Sequence, residues 1–209
     1  MPESSRRSHA FGWYWRLVFR LAKHRASHDI RVGTLGHSAE EANLLFAKID
    51  AALSLIARYD PRRLARLVRN ARGILVIGTV GGIGVWSPGA CLVRLREDYL
   101  LAADVSPTHV ASTLVHEGTH AWLSHLGFGY EEHRRQRIEA ICYRSEIAFA
   151  RRVPDGEMLL PALEAGLALD PGYYSTATRR EQDFTDLRTL GVPEPLIKLV
   201  KLLSARRAA

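Results

Sequence analysis

The chain has 209 residues, 47% hydrophobic and 24% charged, proportions of a globular protein that exclude a disordered chain and a multi-span membrane protein. A formal charge of +7 favours anionic partners, but the arginines are scattered and no RNP-type aromatic strand or zinc-finger spacing accompanies them, which argues against nucleic acid. The two cysteines, Cys91 and Cys142, each have apolar neighbours; they exclude a disulfide framework and read as buried free thiols in a reducing compartment, the cytoplasm.

Residues 1–10 are polar and expected to fray. "FGWYWRLVFRLAKHRA" follows with helical spacing, so residues 11–25 read as a basic, aromatic helix. Its make-up suits a helix docked on the domain with snorkelling cations, or one lying on a membrane surface. Arg16 and Arg20 interrupt its apolar stretch and no small-residue cleavage site follows, so no signal peptide is expected. No run reaches the roughly 18 apolar residues of a spanning helix.

Ser38 and Glu41 stand in capping-box spacing before a helix whose face carries Leu44, Leu45, Ile49, Ala52, Leu53 and Ile56. Asp60 with Pro61 starts a shorter helix ending near Ala71. From Gly73 to Asp98, β-branched runs broken by Gly81, Gly82 and "SPGA" predict two or three strands in a meander. In the last of them Cys91, Val93 and Leu95 alternate with Leu92, Arg94 and Arg96. "GTVGGIG" matches neither the dinucleotide fingerprint nor the Walker pattern and reads as hairpin glycines.

Ser106 and Pro107 launch a helix expected to run to Gly127. Val110, Leu114, Val115, Ala121 and Trp122 form its apolar side, with Gly118 placed for close approach by another element. His116 and His120 stack one turn apart on the opposite side, where two imidazoles can reach one zinc ion at about 2.0–2.1 Å. "HEGTH" is therefore an HExxH motif, and Glu117, next round the helix, is placed to take a proton from water at the metal and hand it to a leaving amine.

A third ligand is expected from the next helix, "YEEHRRQRIEAICYRSEIAFARR", whose buried stripe is Ile138, Ile141, Cys142, Ser145 and Phe149. Glu139 borders that stripe, 19 residues after His120; Glu146, two turns on, is the rival ligand. For the donor that steadies an oxyanion, Tyr130, His133 and Tyr143 are candidates by position, Tyr130 foremost. His125 reads as a core histidine, and His109 as a residue near the helix start that does not touch zinc. Three short helices after Pro154 complete the chain.

HEGTH followed by the glutamate helix "RIEAI" resembles the gluzincin group of zinc metallopeptidases, to which thermolysin belongs. The resemblance covers about residues 90–150. It implies that His116, His120 and Glu139 bind one zinc ion, that Glu117 is the general base, and that the strand before the helix lines the substrate cleft. The acid usual a turn beyond the ligand glutamate is replaced here by Tyr143. The expectation is an α+β fold, mainly helical, with a small antiparallel sheet beside the HExxH helix in one domain spanning 1–209. The expected activity is hydrolysis of a peptide or protein substrate, with the strand at Cys91 to Glu97 as the edge on which it pairs. The alternative is a non-catalytic, metal-stabilised helical protein that binds a membrane surface or a protein partner through residues 11–25.

Overall fold

The computed structural model describes residues 12–78, 82–189, 191–198 and 201. The expected fraying of residues 1–10 and the turn at Gly81 lie outside them. The chain divides into two compact units, Met1–Leu169 and Asp170–Ala209.

The first unit opens with α1 (Gly12–Leu21), β1 (Lys23–Ser27) and β2 (Ile30–Thr34), then α2 (Ala39–Tyr59) and α3 (Pro61–Asn70). The next elements are β3 (Gly73–Ile77), β4 (Gly84–Ser87), β5 (Leu92–Arg96) and the short α4 (Glu97–Leu101). Two long helices follow, α5 (Pro107–His125) and α6 (Glu132–Ala150), then α7 (Leu160–Leu167). The second unit holds α8 (Thr176–Thr189), with Ser175 accepting from the Thr178 N–H at its start, and residues 194–198 are helical.

The sheet order is β1-β2-β3-β5-β4. It is mixed, not the antiparallel meander expected: β2 pairs with β3 and β3 with β5 in parallel, while β1–β2 and β4–β5 are antiparallel. The physical reason is non-local. α2 and α3 return the chain so that β3 enters beside β2, and β5 rather than β4 then takes the free side of β3. β5 is consequently interior, and the edge next to α5 is β4, which corrects the assignment of the substrate-pairing edge to Cys91–Glu97.

The N-terminal helix stops at Leu21 instead of running to residue 25, because Lys23–Ser27 pairs with β2. The turn between them has His28 and Asp29 both at positive φ (48° and 62°). That is the backbone of a two-residue hairpin turn, made here by residue types that tolerate it without the usual glycine.

Sheet alternation feeds two apolar layers. Ile74, Val76, Val93 and Leu95 face the main core with Leu45, Ile49, Leu53 and Ile56 of α2 and Val110, Leu114 and Val115 of α5. Leu75 and Leu92 face the other way, under Val18, Phe19 and Ala22. The predicted caps are present: Ser38 and Glu41 form the reciprocal box, and the Asp60 side chain accepts from the Arg63 N–H. Cys142 is buried, but Cys91 is exposed, in the turn before β5 at φ 56°, and not in the apolar strand face expected for it.

Candidate metal centre

α5 is built as its sequence predicts. Ser106 and His109 bond at its start, where the Ser106 N–H donates to His109 Nδ1. Gly127 at φ +84° ends it, with the Phe128 N–H donating back to the Leu123 carbonyl, a Schellman-type stop. Gly118 faces α3, and a Cβ there would lie 3.4 Å from Leu67. This close packing turns the opposite side of α5, with His116 and His120, toward α6.

The two helices run antiparallel: Ser112 and His116 meet Glu146, while His120 meets Glu139. His116 Nε2 and His120 Nε2 are 3.1 Å apart, and the Glu139 carboxylate lies 3.2 Å from the first and 3.5 Å from the second. A tetrahedral ion held by bonds of about 2.0–2.1 Å needs donor atoms about 3.3 Å apart. The two Nε2 atoms have that spacing, and the Glu139 carboxylate closes the third side with a different oxygen toward each ring, Oε2 to His116 and Oε1 to His120.

Glu146, the rival ligand of the sequence reading, has another place. Its Oε2 accepts from His116 Nδ1 at 2.8 Å and its Oε1 accepts from Ser112 Oγ at 2.9 Å. A carboxylate on Nδ1 sits behind the ring, and it fixes the tautomer that leaves Nε2 facing His120 and Glu139. Ser112 was not a candidate, although it lies one turn before His116 and helical spacing alone places it on that face.

Glu117 is buried and accepts from the Trp86 backbone N–H of β4. A Cβ on Gly84 would lie 2.6 Å from Thr113 Cγ2 and 3.1 Å from Glu117 Cγ and Oε1, so glycine is what allows β4 to lie against this face of α5. Tyr130 donates a short hydrogen bond to Glu139 Oε1, and its ring stands edge-on to His120 with centroids 5.4 Å apart. Tyr143 meets His116 in the same manner at 5.2 Å, backed by Gly166 of α7. His133 is exposed and accepts from Arg134, away from the cluster. His125 is exposed at the end of α5, a correction to its reading as a core histidine; the helix ends before that position can be covered.

Glu117, Glu139 and Glu146 are only 5%, 8% and 6% exposed, so each charge depends on partners. Burial pushes Glu117 above the usual carboxylate range despite His120 and His116 beside it. Burial acts the same way on Glu139, but hydrogen bonds from His116 and His120 outweigh it and hold that carboxyl well below the ordinary range. His116 is driven down by burial and up by Glu146 and Glu139, and the carboxylates prevail. Cys142 Sγ is also within 4.8 Å of histidine donor atoms. Burial, then Glu139, Glu117 and Glu146, push that thiol far up, so it is neutral without a metal.

The arrangement can hold a divalent cation on two imidazoles and one carboxylate, with a second carboxylate behind one ring and a third, of raised pKa, beside the cluster. No family model, curated protein or solved structure matches the chain.

Proposed function

We propose that the chain is a zinc-dependent hydrolase of the gluzincin kind that cleaves peptide bonds, with His116, His120 and Glu139 as its metal ligands. The observation that carries this reading is the approach of His116 Nε2, His120 Nε2 and the Glu139 carboxylate to within 3.1–3.5 Å of one another. Glu146 behind His116 supports it, because a histidine that ligates through one nitrogen is commonly oriented by a carboxylate on the other.

When bound, zinc supplies a Lewis acid that lowers the pKa of water and polarises a carbonyl. The remaining work falls to side chains. Glu117, its pKa raised by burial, is suited to take a proton from water and return it to the leaving nitrogen. The Trp86 N–H holds that carboxylate at the sheet edge. An extended peptide that adds to β4, which has no strand beyond it among the described residues, runs past Glu117. Tyr130 Oη, beside the donor cluster, is the candidate donor to a developing oxyanion, a role that requires its single proton to leave Glu139 Oε1.

The proximity of Cys142 favours one other reading, a closed structural site in which its thiolate is the fourth ligand and no position remains for water. Elemental analysis tests the shared part. One zinc equivalent in the parent chain, lost in His116→Ala and Glu139→Ala, is the expected result; no zinc after reconstitution would overturn both readings. Cobalt substitution separates them: a sulfur-to-cobalt charge-transfer band abolished in Cys142→Ala would establish the closed site, and its absence the open one. In the open case Glu117→Gln keeps the metal and lowers peptide hydrolysis by about 10²–10⁴-fold.

A further inference from the structure

Helix α1 is apolar on two faces and only one of them is covered. Gly12, Val18 and Phe19 are buried toward the sheet, with Trp15 half-buried beside them. Gly12 lies so close to Gly89 that a side chain there has no room, and Arg16 donates to the Gly89 carbonyl at 2.7 Å. The helix is thus docked firmly. Yet Trp13 is 64% exposed, Tyr14 44%, Leu17 46% and Leu21 68%.

At about 100° per residue these four side chains fall within an arc of about 100°, directed away from Phe19. Trp13, Leu17 and Leu21 recur at every fourth position and form one ridge, flanked by Tyr14. A helix docked on a water-exposed domain is expected to carry polar residues on that side, and a contiguous apolar ridge marks a surface that meets something else.

Charge selects the occupant. Between Glu3 and Asp29 the sequence contains no acidic residue, while Arg6, Arg7, Arg16, Arg20, Lys23 and Arg25 are all cationic. Arg20 is exposed at the border of the ridge, and exposed Arg31 of β2 lies over the Phe19 ring at 5.2 Å on the face that α1 covers, whereas Lys23 and Arg25 turn to the α2 side, donating to the His37 carbonyl and to Asn43 Oδ1. Aromatic rings and leucines edged by arginine have the chemistry of a membrane interface: the rings lie at headgroup depth, leucines reach the acyl boundary and cations meet lipid phosphates. A ten-residue helix is about 15 Å long, enough to lie in that plane but not to cross it, and no described helix is long and apolar enough to cross a membrane.

We propose that α1 seats this chain on the surface of an anionic bilayer, with Trp13, Leu17 and Leu21 inserted and Arg20, at the ridge border, on the headgroups. This surface is independent of the metal centre and of its activity.

The test is co-sedimentation of the full-length chain with vesicles of phosphatidylcholine containing about one-third phosphatidylserine, beside vesicles of phosphatidylcholine alone. The parent is expected to bind the anionic vesicles at least about tenfold more tightly, with binding weakened by salt. Trp13→Ser/Leu17→Ser/Leu21→Ser is expected to reduce that binding at least tenfold, and Arg20→Glu to reduce it less. These positions are exposed, and an unchanged melting curve verifies that the variants are folded. Equal binding by parent and triple variant, or no binding by the parent, overturns the proposal. Concentration-dependent self-association of the parent that the triple variant abolishes, without vesicle binding, overturns it too and makes the ridge a contact between copies.

Discussion

Glu146 stands behind the His116 ring and not among the proposed ligand atoms. Each of its oxygens has a partner, Oε2 on His116 Nδ1 in a part-buried contact and Oε1 on Ser112 Oγ in a buried one. Glu146→Gln is expected to keep the zinc stoichiometry at saturating metal while weakening zinc affinity by about 10–100-fold. Competition with a chromophoric chelator measures this directly; loss of stoichiometry like that of Glu139→Ala would make Glu146 a ligand. Glu139 shares the face of α6 with Glu146, but its oxygens meet Nε2 rather than Nδ1. Tyr130 holds one of those oxygens, so Tyr130→Phe removes a support of Glu139 as well as a donor near the proposed oxyanion position.

Among the elements, β4 and α5 meet in a contact that bears on the candidate site. Their approach rests on Gly84, whose missing Cβ leaves room for Thr113 and Glu117. Gly84→Ala drives a methyl into the Thr113 side chain, and overpacking of this kind costs about 1–3 kcal/mol. Chemical denaturation is expected to register that loss, and peptide hydrolysis to fall because Glu117 is displaced, with zinc content unchanged. Thr113→Ser removes the clashing methyl, so the double variant is expected to recover part of both losses. A double variant no better than Gly84→Ala would show that the strain lies elsewhere. On the other side of the sheet, Phe19 fills the space left by Gly33 and Gly73, which lets so short a helix cover the sheet.

At the scale of the whole molecule, the buried cluster links folding to pH and to metal. In the metal-free chain His116 is held well above its ordinary value of 6.5 because Glu146 and Glu139 outweigh its burial. A group whose folded pKa is raised contributes stability that is complete below the unfolded value and is lost as pH rises through the folded one. Glu139 is depressed below its ordinary 4.5, so its contribution is present above that value and is lost as pH falls. His116 and Glu139 together therefore favour the metal-free fold most between about pH 4.5 and 6.5, while Glu117, whose pKa burial raises, opposes them as pH rises above 4.5. The proposed zinc would compete with the His116 proton, so its stabilisation would grow as the metal-free chain weakens, reaching about 2.7 kcal/mol at free zinc a hundred times Kd. Melting curves with zinc and with chelator are expected to diverge above about pH 6.5. A constant gap between them across this range would place zinc away from His116.

Local patterns determined much of this molecule. The caps at Ser38, Asp60, Ser106 and Gly127 and the apolar faces of α2 and α5 are properties of short segments, as is the i, i+4 stacking of His116 and His120, so they are legible in the sequence; Leu44, expected on the α2 face, is exposed, and Ala42 and Phe46 are buried there instead. The β1–β2 hairpin was not, because its turn uses His28 and Asp29 in place of a glycine signal and its first strand continues the cationic pattern of α1. Strand order was equally hidden: which strand is the edge depends on pairing between segments that the sequence separates by two helices. The roles of Glu139 and Glu146 were the last such question. Two turns apart, they share one face of α6, and only the antiparallel packing of that helix on α5 decides which meets the Nε2 atoms and which stands behind the ring.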